Sequence, residues 1–217
     1  MMSRSGMFGI VQSQRASFMA LALAAFSAGQ AMAADCPVAA DLTTGIAAEY
    51  ADGGRVEYRS AGEGRIAIFE PNEDDAARGL YFLSVAGLYD LAVAHRLNGA
   101  NDPDRSLTLV YSEPEEDLPI PVPGGSWLGT VDTVFPDGTV DTDTAIYVFG
   151  AASDREIGGC RYATLPVKAS FVGPVDWVAQ DFIYFSDLGI AVPTARMVSG
   201  AERPSGRALA GLRSLPR

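Results

Sequence analysis

Residues 160–198 read CRYATLPVKASFVGPVDWVAQDFIYFSDLGIAVPTARMV, and the hydrophobic period of this stretch decides the fold class. The odd positions carry Ala163, Leu165, Val167, Ala169 and Phe171, while the even ones carry Tyr162, Thr164, Pro166, Lys168 and Ser170. One side is apolar and the other polar, the period of two expected of a strand in a sheet with one wet face. Gly173 and Pro174 then mark a turn. WVAQDFIYF (177–185) has large apolar groups on both sides, so it belongs at the centre of a sheet or under cover on both faces. After the turn SDLG comes the closing strand IAVPTARMV (190–198), confined by Pro193 to an edge or a bulge.

The same period runs outward from there. SWLGTVDTVF (126–135) and TVDTDTAIYVFG (139–150) flank Pro136, Asp137 and Gly138, where proline presets φ and glycine supplies a positive one, predicting a hairpin. On its second strand Val140, Thr142, Thr144, Ile146 and Val148 share one side. Asp141 and Asp143, followed by Ala145, Tyr147 and Phe149, share the other, so the strand enters a core partway along. RVEYR (55–59) and RIAIFE (65–70) predict a further hairpin. LYFLSVAGLYDLAVAHRL (80–97) is rich enough in Leu and Ala for a helix, yet it alternates from Tyr89 and breaks at Gly87. That pattern favours two strands or one bent strand. VAADLTTGIAAEY (38–50) admits a short helix, with Asp41 or Thr43 as its cap.

The beginning of the chain reads as an export signal: Arg4 and Arg15, the apolar run FMALALAAFSA (18–28), and the small-x-small site Ala31-Met32-Ala33. Cleavage after Ala33 would leave one domain, residues 34–198, and a basic tail, residues 199–217. The apolar run is about half of the ~20 residues a membrane-spanning helix needs, so no retained span is expected. Asp35 before Cys36 argues against a lipid anchor. The expected location is the bacterial periplasm. Cys36 and Cys160 are the only cysteines, and in an oxidising compartment they should pair. No Cys-x-x-Cys motif or Cys/His cluster suggests redox or metal chemistry.

The chain holds 27 acidic residues against 16 basic ones, and the export signal removes two of the basic set. Such a body repels nucleic acid and anionic membrane surfaces. Glu70, Glu73, Asp74 and Asp75 crowd one loop without the spacing of a calcium-binding loop, so a solvated loop is expected. EPEEDLPIPVPGG (113–125) has four prolines and four acids, and should be an extended surface loop that can dock a partner at low ordering cost. The tail carries Arg203, Arg207, Arg213 and Arg217 with Pro204, Gly206 and Gly211, which predicts mobility. Leu209, Leu212 and Leu215 leave a short docked turn as the alternative.

The segment IYFSDLGIAV (183–192) resembles the end of poorly characterised exported β proteins, curved half-barrels like the carrier that moves lipoproteins through the periplasm. With the preceding CRYATLPVKASF the resemblance covers about 40 residues. It implies a curved sheet and places no functional residue.

Together these readings predict a mainly β fold: a single antiparallel curved sheet or incomplete barrel with one or two short helices at most. The expected function is non-enzymatic binding or a role in the cell envelope, with an apolar small molecule or lipid in the concave face. Trp127, Phe149, Trp177, Phe182 and Tyr184 are the candidate lining, with His95, the only histidine, near the rim. The alternative is a structural or interaction module that meets an envelope protein through the loop at 113–125. A hydrolase ranks last, because the chain has no G-x-S-x-G, H-E-x-x-H, Walker or G-x-G-x-x-G motif and His95 has no evident nucleophile or orienting group. No cofactor or metal is expected.

Overall fold

In the computed structural model of the chain, residues 36–216 are described. The export signal, its cleavage after Ala33 and Arg217 lie outside them. The described residues are 62% strand and 4% helical, with 3-10 turns at Ala39–Thr43 and Glu115–Asp117 as the helical elements. Among the described residues fourteen strands follow one another: β1 (Ile46–Tyr50), β2 (Arg55–Gly62), β3 (Arg65–Pro71), β4 (Arg78–Val85), β5 (Tyr89–Leu97), β6 (Ala100–Tyr111) and β7 (Ser126–Val134). Then come β8 (Val140–Phe149), β9 (Ser153–Ile157), β10 (Cys160–Val172), β11 (Trp177–Phe185), β12 (Ile190–Val198), β13 (Ser205–Gly206) and β14 (Leu209–Ser214).

They form one antiparallel open sheet that does not close into a barrel, in the order β13-β12-β11-β10-β8-β7-β6-β5-β4-β3-β2-β1-β14. The first eight strands are a meander, the topology that short turns between alternating segments favour. The hairpins expected at 55–70 and 126–150 are present. Residues 80–97 are two strands, β4 and β5. Ala86 and Gly87 both have positive φ between them, and a Cβ on Gly87 would lie 3.0 Å from the backbone nitrogen of Ala191. Glycine is required there both for the turn and for the close approach.

β10 is the hinge of the architecture. Its first half pairs with β9 through residues 160–164 and its second half with β8 through residues 167–172, while β11 runs along its other side. SDREI (153–157) is therefore a strand, short and polar at its exposed edge. On β10 the odd positions Leu165, Val167 and Ala169 are buried, as the alternation predicts. In its first half the even positions Cys160, Tyr162 and Thr164 are buried as well, in a different place.

Two cores result. The first gathers Tyr89, Tyr111, Trp127, Tyr147, Phe149, Leu165, Val167 and Tyr184. The second gathers Ile46, Tyr58, Ile66, Ile68, Tyr162, Phe185, Ile190, Val192 and Leu212. The hairpin of β11 and β12 separates them, giving Tyr184 and Ala191 to the first core and Phe185, Ile190 and Val192 to the second. Cover on both faces, expected for residues 177–185, holds at the end of β11, where Tyr184 and Phe185 are 4% and 0% exposed. Cys36 and Cys160 are bonded across a sequence separation of 124 residues.

The basic tail is a correction to the sequence reading. It is docked: β14 pairs with β1 from Ile46 opposite Ser214 to Tyr50 opposite Leu209, and β13 pairs with β12. Leu212 and Leu215 are buried. Between the two strands the Arg207 amide donates to the Thr194 carbonyl (2.8 Å), and the Ala51 amide donates to the Ala208 carbonyl (2.8 Å). One segment thus touches both ends of the sheet. The Arg207 guanidinium lies 4.0 Å from the Tyr50 ring centroid and pairs with Asp52 (3.1 Å) and Glu70 (2.7 Å). Composition pointed to disorder, but the unpaired backbone of β1 supplies partners that composition does not show.

Candidate functional site

The six residues proposed as a lining do not share one. Trp127, Phe149 and Tyr184 are buried in the first core, where Trp127 meets Tyr89 edge-on at 5.9 Å and Tyr147 at 5.8 Å between ring centroids. Phe182 packs half-buried against them. Trp177, 38% exposed, starts β11 at its wet end. His95 is exposed on β5, not on the apolar face. The alternation that placed it there is broken by two bulges, at Leu83/Ser84 opposite Asp90 and at Ala94/Arg96 opposite β6.

The inner face is filled by tyrosines that the candidate lining left out. Tyr89 lies 4.5 Å from Tyr147 and 5.8 Å from Tyr111, centroid to centroid. The Tyr89 hydroxyl donates to the Pro119 carbonyl (3.0 Å), and the Tyr111 and Tyr147 hydroxyls are 3.4 Å apart. Burial pushes all three phenols well up from their ordinary value, so they are neutral. Tyr89 and Tyr147 stood on the apolar side of two alternating strands; that position was the available signal.

The accessible apolar surface lies where the second core opens. Past Thr164 the even face of β10 leaves the core, and Pro166 and Lys168 stand exposed beside Ile183 and Asp181 of β11, their register partners. β9 borders one side of this space, and the segment entering β14 borders the other. The result is a groove of about 590 Å³ with an apolar floor of Ile157, Pro166, Ile183 and Leu209. Ile157, Ile183 and Leu209 are the half-buried outer layer of the second core. Around the rim, Lys168 pairs with Asp181 (2.8 Å), Arg207 is held by Asp52 and Glu70, and Arg155 makes no ion pair among the described residues. The size falls within the range of small-ligand sites.

The acidic loop at 113–125 is a strap laid over the first core. Leu118 and Pro121 are buried, and the strap's end follows β8 through the Phe149 amide to the Gly125 carbonyl (2.9 Å). The Trp127 indole donates to Glu113, and Arg65 grips Glu115 with two bonds of 2.6 and 2.8 Å. That guanidinium holds the Glu115 carboxyl below its usual range. Ile120 and Val122 project outward, 53% and 57% exposed.

The Arg105 guanidinium lies 3.2 Å from Nε2 of His95; as Arg can only donate, the bond occupies the lone pair a general base would use. Among the described residues no group of three or more His, Cys, Asp or Glu is placed to hold a metal ion, and no helix is long and apolar enough to cross a membrane. No family model, no curated protein and no solved structure matches this chain.

Proposed function

We propose that the chain is an exported, non-enzymatic binding protein that lays the apolar part of its ligand in the groove at the mouth of the second core. The observation that carries this reading is the floor of Ile157, Pro166, Ile183 and Leu209, an apolar surface left open in a chain whose first core is filled with aromatic rings. An apolar molecule or lipid was expected inside the curved sheet. The seat proposed instead is the groove, whose polar rim groups can orient an amphiphile. Export rests on the leader sequence, and the disulfide is in keeping with it. The resemblance to carrier-like half-barrels belongs to the same proposal and adds no residue to it.

Titration with a fluorescent naphthylamine probe, together with native mass spectrometry of freshly purified protein, tests the reading. Saturable one-to-one binding is expected, and Ile157→Lys should abolish it while far-ultraviolet dichroism shows the sheet intact. Binding that survives this substitution, or no saturable binding by any apolar probe, would sink it.

A further inference from the structure

The groove at the foot of the strap points to a second, separate site. We propose that it docks an extended segment of a partner protein in which apolar side chains alternate with Lys or Arg. This does not depend on the ligand groove, which opens from the other core.

The site of about 360 Å³ is floored by Leu91, Leu109, Tyr111 and Leu118, where the edge of the first core reaches the surface. That volume is at the small end of binding sites, suited to a few side chains and too small for a bulky ligand. Its rim carries Glu113 and Glu115, both held in place, by the Trp127 indole and by Arg65. Rigid carboxylates beside an apolar floor lose little entropy when a cation arrives.

Charge complementarity selects the occupant. Glu116 and Asp117, next along the strap, make no ion pair among the described residues, and Glu63 reaches Arg65 only at 3.8 Å. Arg65 is thus the only cation paired with this acidic cluster among the described residues. Pro114, Pro119, Pro121 and Pro123 remove backbone donors along the strap, so its carboxylates are what it presents to a partner. Nucleic acid and anionic lipid are repelled by the same charges. A second copy of this chain is a poor fit, because its basic segment is already committed: Arg207 pairs with Asp52 and Glu70, Arg213 pairs with Glu49, and β14 lies in the sheet.

The probes are three fluorescein-labelled peptides of equal length, alternating Lys/Leu, all Lys, and alternating Glu/Leu, followed by anisotropy at low and physiological salt. The Lys/Leu peptide should bind roughly tenfold or more tighter than all Lys, and Glu/Leu should not bind. The exposed double change Glu116→Gln with Asp117→Gln should weaken Lys/Leu binding severalfold without moving the thermal midpoint. Leu109→Gln should remove the advantage of Lys/Leu over all Lys. Equal binding of Lys/Leu and all Lys to the native protein would overturn the proposal, since any polycation adheres to so acidic a body. So would full affinity in the charge-removed variant.

Discussion

Asp90 shows how a single half-buried group sets a pH response. It lies on β5 beside the bulge, where it accepts a hydrogen bond from the fully buried Ser84 hydroxyl. Burial raises its pKa from 3.8 to about 6, and the Ser84 bond only partly opposes that rise. Because the folded value lies above the unfolded one, the folded state binds the extra proton, and stability falls as pH rises between about 4 and about 6. The shift corresponds to on the order of 2–3 kcal/mol. Asp90→Asn keeps an acceptor for Ser84 and removes the charge. Urea unfolding of the variant should show a gain of about 1–3 kcal/mol at neutral pH and almost none at pH ~4. An equal gain at both pH values would mean that the charge is not what matters.

At the scale of elements, the C-terminal strand explains both what the sequence disclosed and what it concealed. Alternation revealed the hairpin of β7 and β8, its inward face of Ala145, Tyr147 and Phe149, and the double cover at the end of β11, because the β7–β8 ladder has no extra residue and the shift in the β11–β12 ladder, at Asp181/Phe182, lies before Tyr184 and Phe185. β14 was hidden because its register shifts opposite Glu49 and Tyr50: Leu209 faces Tyr50, Gly211 faces Glu49, and Ala210 is the added residue. Period two plus one bulged residue gives a leucine spacing of three, which reads as a helical turn. The same device displaced His95. The grooves were illegible for another reason: the first is lined by β9, β10, β11 and the segment entering β14, the second by β5, β6 and the strap, and no local pattern reports how such segments meet. If β14 truly covers the edge of β1, Leu212→Asp, which puts a charge into a site 8% exposed, should cost roughly 3 kcal/mol or more. Amide exchange of residues 46–50 should accelerate before the rest of the sheet. Unchanged protection there would show that the tail is not needed to cover that edge.

For the molecule as a whole, the question is what joins two cores into one cooperative unit. The hairpin of β11 and β12 contributes to both, so neither can open without exposing side chains of the other. Cys36 adds a covalent link, tying the start of the described chain to the first residue of β10, the strand that changes faces between the cores. Closing a loop of 124 residues restricts the unfolded chain by on the order of 4–5 kcal/mol in the chain-entropy account. A domain of this size has a total stability of only about 5–15 kcal/mol, so the bond is a large share of it. Paired Cys36→Ser and Cys160→Ser changes should therefore lower the urea midpoint sharply while leaving a single transition. Far-ultraviolet dichroism, which follows the sheet, and tryptophan emission, to which buried Trp127 contributes, should move together. Separate transitions would show that the disulfide, and not the shared hairpin, makes the two cores one.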